Sequence, residues 1–195
     1  AGSNDGLNSD LTTEQLDTPI TIDEIIKVLS QLKHNKSADL NGVVADVFIE
    51  SKQFISQFLC SIFNHIFNTG IYAEAWSKGA IIPIYKKGDP NNPTNYRGIT
   101  IVNTVAKILS LLLRVRINKW CETNSVFNDS QYGFRDNCST ADAVFILHTT
   151  IQKILATNKT LWCIFIYYER AFGSVTRDAL WAKRIRIPIS YLQLT

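Results

Sequence analysis

Three cations, Lys86, Lys87 and Arg97, flank the run Gly88-Asp-Pro-Asn-Asn-Pro-Thr94. Gly, Pro and Asn at that density specify a turn, and the β-compatible stretch 80–85 before it makes this turn the tip of a hairpin. A guanidinium fork and an ammonium point charge near a loop tip suit phosphate oxygens, which gain charge during group transfer. A lone Lys or Arg is more often a solvated surface charge, so the cations acquire meaning only from their company. A second segment, Gln131-Tyr-Gly-Phe-Arg135, joins a glycine that permits close backbone approach to an arginine that can meet phosphate. Its bland alternative is a turn stabilised by a buried Phe134. No Asp-Asp pair occurs in the chain, and Cys60, Cys121, Cys138 and Cys163 form neither a CxxC nor a Cys/His cluster. Neither a zinc site nor a disulfide framework is therefore supported.

The net charge of +3 conceals an uneven distribution. Residues 1–75 hold four basic and ten acidic side chains, residues 76–120 eight and one, and residues 121–195 eight and six. A basic central block suits a polyanionic partner, because Lys and Arg displace counterions from phosphates. A solvated helix face plus a turn would give the same count. With 195 residues and 46% hydrophobic side chains the chain can bury a sizeable core, which excludes a disordered protein and leads us to expect one globular unit. The absence of Met and the start at Ala1 suggest part of a longer reading frame. No apolar run approaches the ~20 residues of a membrane span and the N-terminus is unlike a signal peptide, so a soluble protein of the cytoplasm or nucleus is expected.

The elements that must position these residues are legible as periodicities. Residues 1–20 are polar and read as a linker or tail, with a structured unit over 21–195. Thr21 and Glu24 have capping-box spacing ahead of the apolar stripe Ile22, Ile25, Ile26, Leu29 and Leu32, predicting a helix to about Lys33. A second helix is predicted over about 54–68, with Phe58, Ile62 and Ile66 inward and Gly70 as its stop. Asn103 can cap a helix over 104–121 that carries Val105, Leu109, Leu112 and Trp120, with Lys107, Arg114 and Arg116 on its other sides. A further helix is predicted from Thr140 to about Ala156. The run Leu161-Trp-Cys-Ile-Phe-Ile166 is apolar at every position and predicts a buried central strand. There is no internal repeat and no low-complexity segment.

Taken in order, these segments resemble the reverse transcriptases of non-LTR retrotransposons over roughly residues 21–187. Phe165, Ile166, Ala171, Phe172 and Val175 match the family strand Phe-Ile-Asp-Phe-x-Lys-Ala-Phe-Asp-x-Val, and Leu180-Trp181 follows. Upstream, Trp76, Pro83-Ile84, Lys86, Gly88, Tyr96-Arg97, Lys107, Gln131, Gly133-Phe134-Arg135 and Ser139-Thr140-x-Asp142 fall in family order. The resemblance implies an α+β fold, helix-rich, made of fingers with a short hairpin and part of a palm with its buried strand. It implies that Lys86 and Arg97 contact the triphosphate of an incoming nucleotide, and that Gln131, Gly133, Phe134 and Arg135 border the template. RNA template and DNA primer are the family's partners, and Mg²⁺ is its cofactor.

The departures fall on the chemistry. Tyr167 occupies the position of a metal-binding Asp, Gly173 that of the second Asp, and the family's Lys-x-x-Gly-x-Asp-Gly reads Lys36-Ser-Ala-Asp39-Leu-Asn41-Gly42. Mg²⁺ demands several hard anionic oxygens, and a phenol supplies none at neutral pH. Glu169 lies two strand positions from Tyr167, about 6–7 Å away, too far to fill the same coordination site. The expectation is a catalytically inactive fragment that binds no metal or cofactor by itself. The alternatives are a nucleic-acid-binding module that keeps the basic fingers and a retrotransposon relic that self-associates through an exposed palm surface.

Overall fold

The computed structural model describes residues 16–168, 171–176 and 178–180. Contacts divide the chain into two compact units between Ile117 and Asn118.

The first unit opens with α1 (Ile22–Leu29), whose capping box forms as the sequence predicts: Thr21 Oγ1 accepts from Glu24 N and the Glu24 carboxylate accepts from Thr21 N. The helix stops at Leu29 rather than Lys33, with Ser30 as its C-cap. Then come α2 (Ala45–Glu50), α3 (Lys52–Thr69), the short α4 (Glu74–Ser77), β1 (Gly79–Tyr85), β2 (Tyr96–Val102) and α5 (Thr104–Thr123), within which the division falls. Gly70 ends α3 in the left-handed conformation at φ 70°, where its lack of a Cβ matters. The core joins Ile25, Val28 and Leu29 of α1, Phe48 of α2, Leu59, Phe63 and Phe67 of α3, and Ile108, Leu109 and Leu112 of α5.

Two expectations need correction here. The buried stripe of α3 is Ser56, Leu59, Phe63 and Phe67, while Phe58 and Ile62 are exposed. The two stripes differ by one residue, a rotation of about 100°; α3 is apolar over more than half its circumference, so periodicity alone left the facing ambiguous. Residues 16–20, read as the end of a polar tail, are packed: Leu16 and Ile20 are buried, and Ile20 N and O are held by the Asn64 side chain. An apolar residue every fourth position in a polar run suffices to dock it when helix side chains satisfy the backbone.

The second unit contains α6 (Thr140–Ala156), bounded as the sequence predicts, and the four-residue α7 (Ala171–Ser174). Ser139 and Asp142 form a reciprocal capping box at the start of α6. The buried central strand is not found. Residues 161–168 form no ladder, and Trp162, Ile164, Phe165, Ile166, Tyr167 and Tyr168 are all exposed. An unbroken apolar run announces a need for burial but not what satisfies it, and among the described residues the sheet consists of β1 and β2 alone. Mixed helix with one small antiparallel sheet is compatible with the α+β class. Glu169 and Trp181 lie outside the described residues, as do residues 1–15.

Candidate nucleic-acid interface

β1 and β2 pair antiparallel in the register Ile82 with Ile99, Ile84 with Arg97 and Tyr85 with Tyr96. Alternation along a strand then puts Lys86 on the same face as Ile84, so Lys86 and Arg97 are diagonal neighbours, roughly 7–8 Å apart at the backbone. Both cations are exposed, and among the described residues neither forms an ion pair or side-chain hydrogen bond. Two cations at this separation can straddle one phosphate or touch two successive ones.

The loop that carries them is ordered by its own polar side chains. Asp89 Oδ1 accepts from Asn91 N, Asn92 Oδ1 caps the 3₁₀ turn Pro93–Asn95, Asn95 Nδ2 donates to Asp89 O, and Lys86 N donates to Asn95 O. The Tyr85 and Tyr96 hydroxyls donate to Gly88 O and Pro90 O, with their rings edge to face at 5.5 Å. Gly88 sits at φ 96°, and a Cβ there would lie 2.6 Å from Asn95 Nδ2. The tip is thus built in advance of any ligand.

At the base of the hairpin, Asn103 Oδ1 caps α5 through Val105 N and Ala106 N, as its sequence position predicts. Asp39 adds a second tie. Its Oδ1 accepts from Asn41 N and Val43 N at 2.9 and 3.0 Å, and its Oδ2 from Thr104 N at 2.7 Å, joining the 36–43 loop to the start of α5. Burial raises its pKa, but the Thr104, Val43 and Asn41 N–H groups outweigh this and hold the carboxyl below its ordinary value. Asp39 is therefore a structural carboxylate.

The basic residues of α5 separate into two kinds. Lys107 and Arg114 are exposed. Arg116 continues the inward stripe Val105, Leu109, Leu112 and is buried, with its side chain 8% exposed. Its Nε and Nη2 reach the two Glu24 oxygens at 2.8 Å, its Nη1 donates to Leu16 O and Thr18 O, its Nη2 also donates to Pro19 O, and the guanidinium lies 5.8 Å from the Phe67 ring centre. It anchors residues 16–19 and offers nothing to a phosphate. The i, i+4, i+7, i+11 spacing from Val105 was the signal that could have revealed it.

Gln131, Gly133, Phe134 and Arg135 lie together in one turn of the second unit. Arg135 is also committed: Nε and Nη2 bond Glu122 Oε1 and Oε2 at 2.8 and 3.0 Å, Nη1 donates to Asn128 O, and the group sits over the Phe127 ring. The hydrogen bond from Arg135 outweighs desolvation and lowers the Glu122 pKa. Arg135 is therefore not an open phosphate ligand in this structure. Phe134 is 83% exposed, which overturns the alternative of a turn pinned by a buried ring. A Cβ on Gly133 would meet nothing within 4 Å.

Tyr167 is 90% exposed. Among the described residues no group of three or more His, Cys, Asp or Glu could hold a metal ion. A family model described as reverse transcriptase (RNA-dependent DNA polymerase) matches residues 84–194, more than half the chain. The chain belongs to the reverse transcriptase family. Its relatives are proteins of non-LTR elements. It is 27% identical over 166 residues to the probable RNA-directed DNA polymerase from transposon BS of Drosophila melanogaster, covering 85% of this chain and 18% of that protein. The probable RNA-directed DNA polymerase from transposon X-element of the same fly is also 27% identical, over 197 residues, 97% of this chain and 21% of the other. A Xenopus laevis protein named transposon TX1 uncharacterized 149 kDa protein is 27% identical over 176 residues, 88% and 13% respectively. The match covers only 13–21% of the length of these curated relatives. Among the described residues no helix is long and apolar enough to cross a membrane.

Proposed function

We propose that this reverse transcriptase segment comprises fingers and the beginning of a palm, and that the chain does not catalyse nucleotide addition by itself. The reading is supported by Tyr167, which stands where the resemblance to the family implies a metal-binding Asp. The intact family uses Mg²⁺ to stabilise the attacking and leaving oxygens; this chain places a phenol where an anionic oxygen is needed. Primer extension on an RNA template with Mg²⁺ or Mn²⁺ is expected to give no product, and Tyr167→Asp alone is expected not to restore it, since no Asp-Asp pair exists in the sequence. Robust extension by the unaltered chain would sink the proposal.

A second reading, a nucleic-acid-binding module, is favoured by the two exposed cations on one face of an ordered hairpin. In it Lys86 and Arg97 hold phosphates of an RNA template, a DNA primer or a nucleotide. Fluorescence anisotropy of a labelled RNA–DNA primer–template is expected to show binding that weakens with salt and is lost in Lys86→Ala/Arg97→Ala. Binding by the double variant with an unchanged salt slope would reject it. The exposed run 162–168 supports self-association of the isolated chain, which sedimentation over a concentration series tests.

A further inference from the structure

We propose that the Tyr85 and Tyr96 hydroxyls are positioning groups for the hairpin cations: they hold the tip loop off the face that carries Lys86 and Arg97, and so keep Asp89 from neutralising that pair. The inference rests on the reading above in which these cations hold phosphate, and adds what keeps them available.

The register sets Tyr85 opposite Tyr96. Alternation then puts the two phenol rings on one face of the ribbon and Ile84, Lys86 and Arg97 on the other. Each hydroxyl donates to a carbonyl of the loop, Tyr85 to Gly88 O and Tyr96 to Pro90 O. Both carbonyls lie within reach of the phenol ends, so the first half of the loop is bent toward the tyrosine face and away from the cations. Gly88, at φ 96°, permits the bend. Neither ring serves the core: Tyr85 is 45% exposed, and neither tyrosine belongs to the buried cluster of the first unit.

Asp89 gives the bend its consequence. It is the sole acidic residue between positions 76 and 120, among eight basic ones. It stands three positions from Lys86, yet among the described residues it forms no ion pair; its Oδ1 accepts from Asn91 N and Asn91 Nδ2 at 2.9 and 3.2 Å. A loop free to swing across the ribbon would bring this carboxylate to Lys86 and Arg97, and an incoming phosphate would have to displace it. An exposed pair of that kind is weak, so the penalty on binding is a matter of a few-fold. The hydroxyls act by removing that competitor and by ordering the loop before the ligand arrives.

The test is anisotropy of the labelled RNA–DNA primer–template with the full chain, for Tyr85→Phe/Tyr96→Phe, Asp89→Asn and the two combined, together with thermal melts and amide hydrogen exchange of residues 86–97 read by mass spectrometry. Phenylalanine keeps both rings and removes only the two donors, and asparagine keeps the Oδ1 acceptor without the charge. The phenylalanine pair is expected to weaken binding about threefold to tenfold, to speed exchange across 86–97 and to leave Tm unchanged. Asp89→Asn should raise affinity by less than about twofold in the wild type, where the carboxylate is held aside and screened, but recover most of the loss in the phenylalanine background. A merely structural role for the hydroxyls gives no such rescue. Wild-type affinity in the phenylalanine pair, unchanged exchange, or an equal gain from Asp89→Asn in both backgrounds would each overturn the proposal. If Lys86→Ala/Arg97→Ala loses affinity while the phenylalanine pair does not, the positioning role fails and the hairpin reading stands; if that cation variant binds as the wild type does, or the wild type does not bind, both fail.

Discussion

Replacing Arg116 with Met keeps most of its apolar stem and removes every polar contact it makes. Glu24 then loses two charge-assisted hydrogen bonds, and the carbonyls of Leu16, Thr18 and Pro19 lose their shared donor. Breaking a fully buried pair from one side costs about 3–5 kcal/mol. Arg116 is nearly buried but the Glu24 side chain is 33% exposed, so water recovers part of the loss and roughly 2–4 kcal/mol is expected. Urea unfolding monitored by circular dichroism measures this directly, with Lys119→Met, at an exposed position of the same helix, as control. The pair also sets an acid dependence. Burial pushes the Glu24 pKa up, but the Arg116 hydrogen bonds, the Thr21 backbone bond and the Arg116 charge together bring it from 4.5 to about 2. A carboxyl with a depressed folded-state pKa contributes stability that is complete above about 4.5 and disappears as pH falls toward 2. The full shift would correspond to about 3 kcal/mol, which partial exposure reduces to roughly 1–2 kcal/mol. Most of that acid-labile increment should be missing in Arg116→Met. A cost below about 1 kcal/mol, or an unchanged pH profile between 4.5 and 2, would refute the anchor.

Three further outcomes are expected. Asp39→Gly should destabilise this chain by roughly 2–3 kcal/mol in urea, because three backbone N–H groups lose a charged acceptor; a gain in stability would contradict the tie. Gly88→Ala, at positive φ and in collision with Asn95, should cost about 1–2 kcal/mol and weaken salt-dependent binding by loosening the cation-bearing loop, readable by denaturation and anisotropy together. Gly133→Ala meets no atom within 4 Å and should leave Tm unchanged, so any loss of oligonucleotide affinity in that variant reports an approach from outside the chain.

Local rules determined much of this protein. The Thr21/Glu24 capping box, the Gly70 stop, the Asn103 cap, the hairpin about Gly88–Thr94 and the bounds of α6 all follow from residues within a few positions of one another, and each appears where the sequence puts it. The ordered motifs likewise carried the family. What the sequence left open depends on partners distant along the chain. Whether α3 turns Phe58 or Leu59 inward is decided by α1 and α5, since both faces are apolar enough to be buried. Arg116 and Arg135 look like any other cation until Glu24 and Glu122 are brought within 3 Å, and then they hold the fold instead of a phosphate. Asp39 reads as a lost glycine until Thr104, 65 residues away, supplies its N–H. The run 161–168 shows the converse: hydrophobicity states that a segment seeks cover, and only the tertiary structure tells whether cover is there.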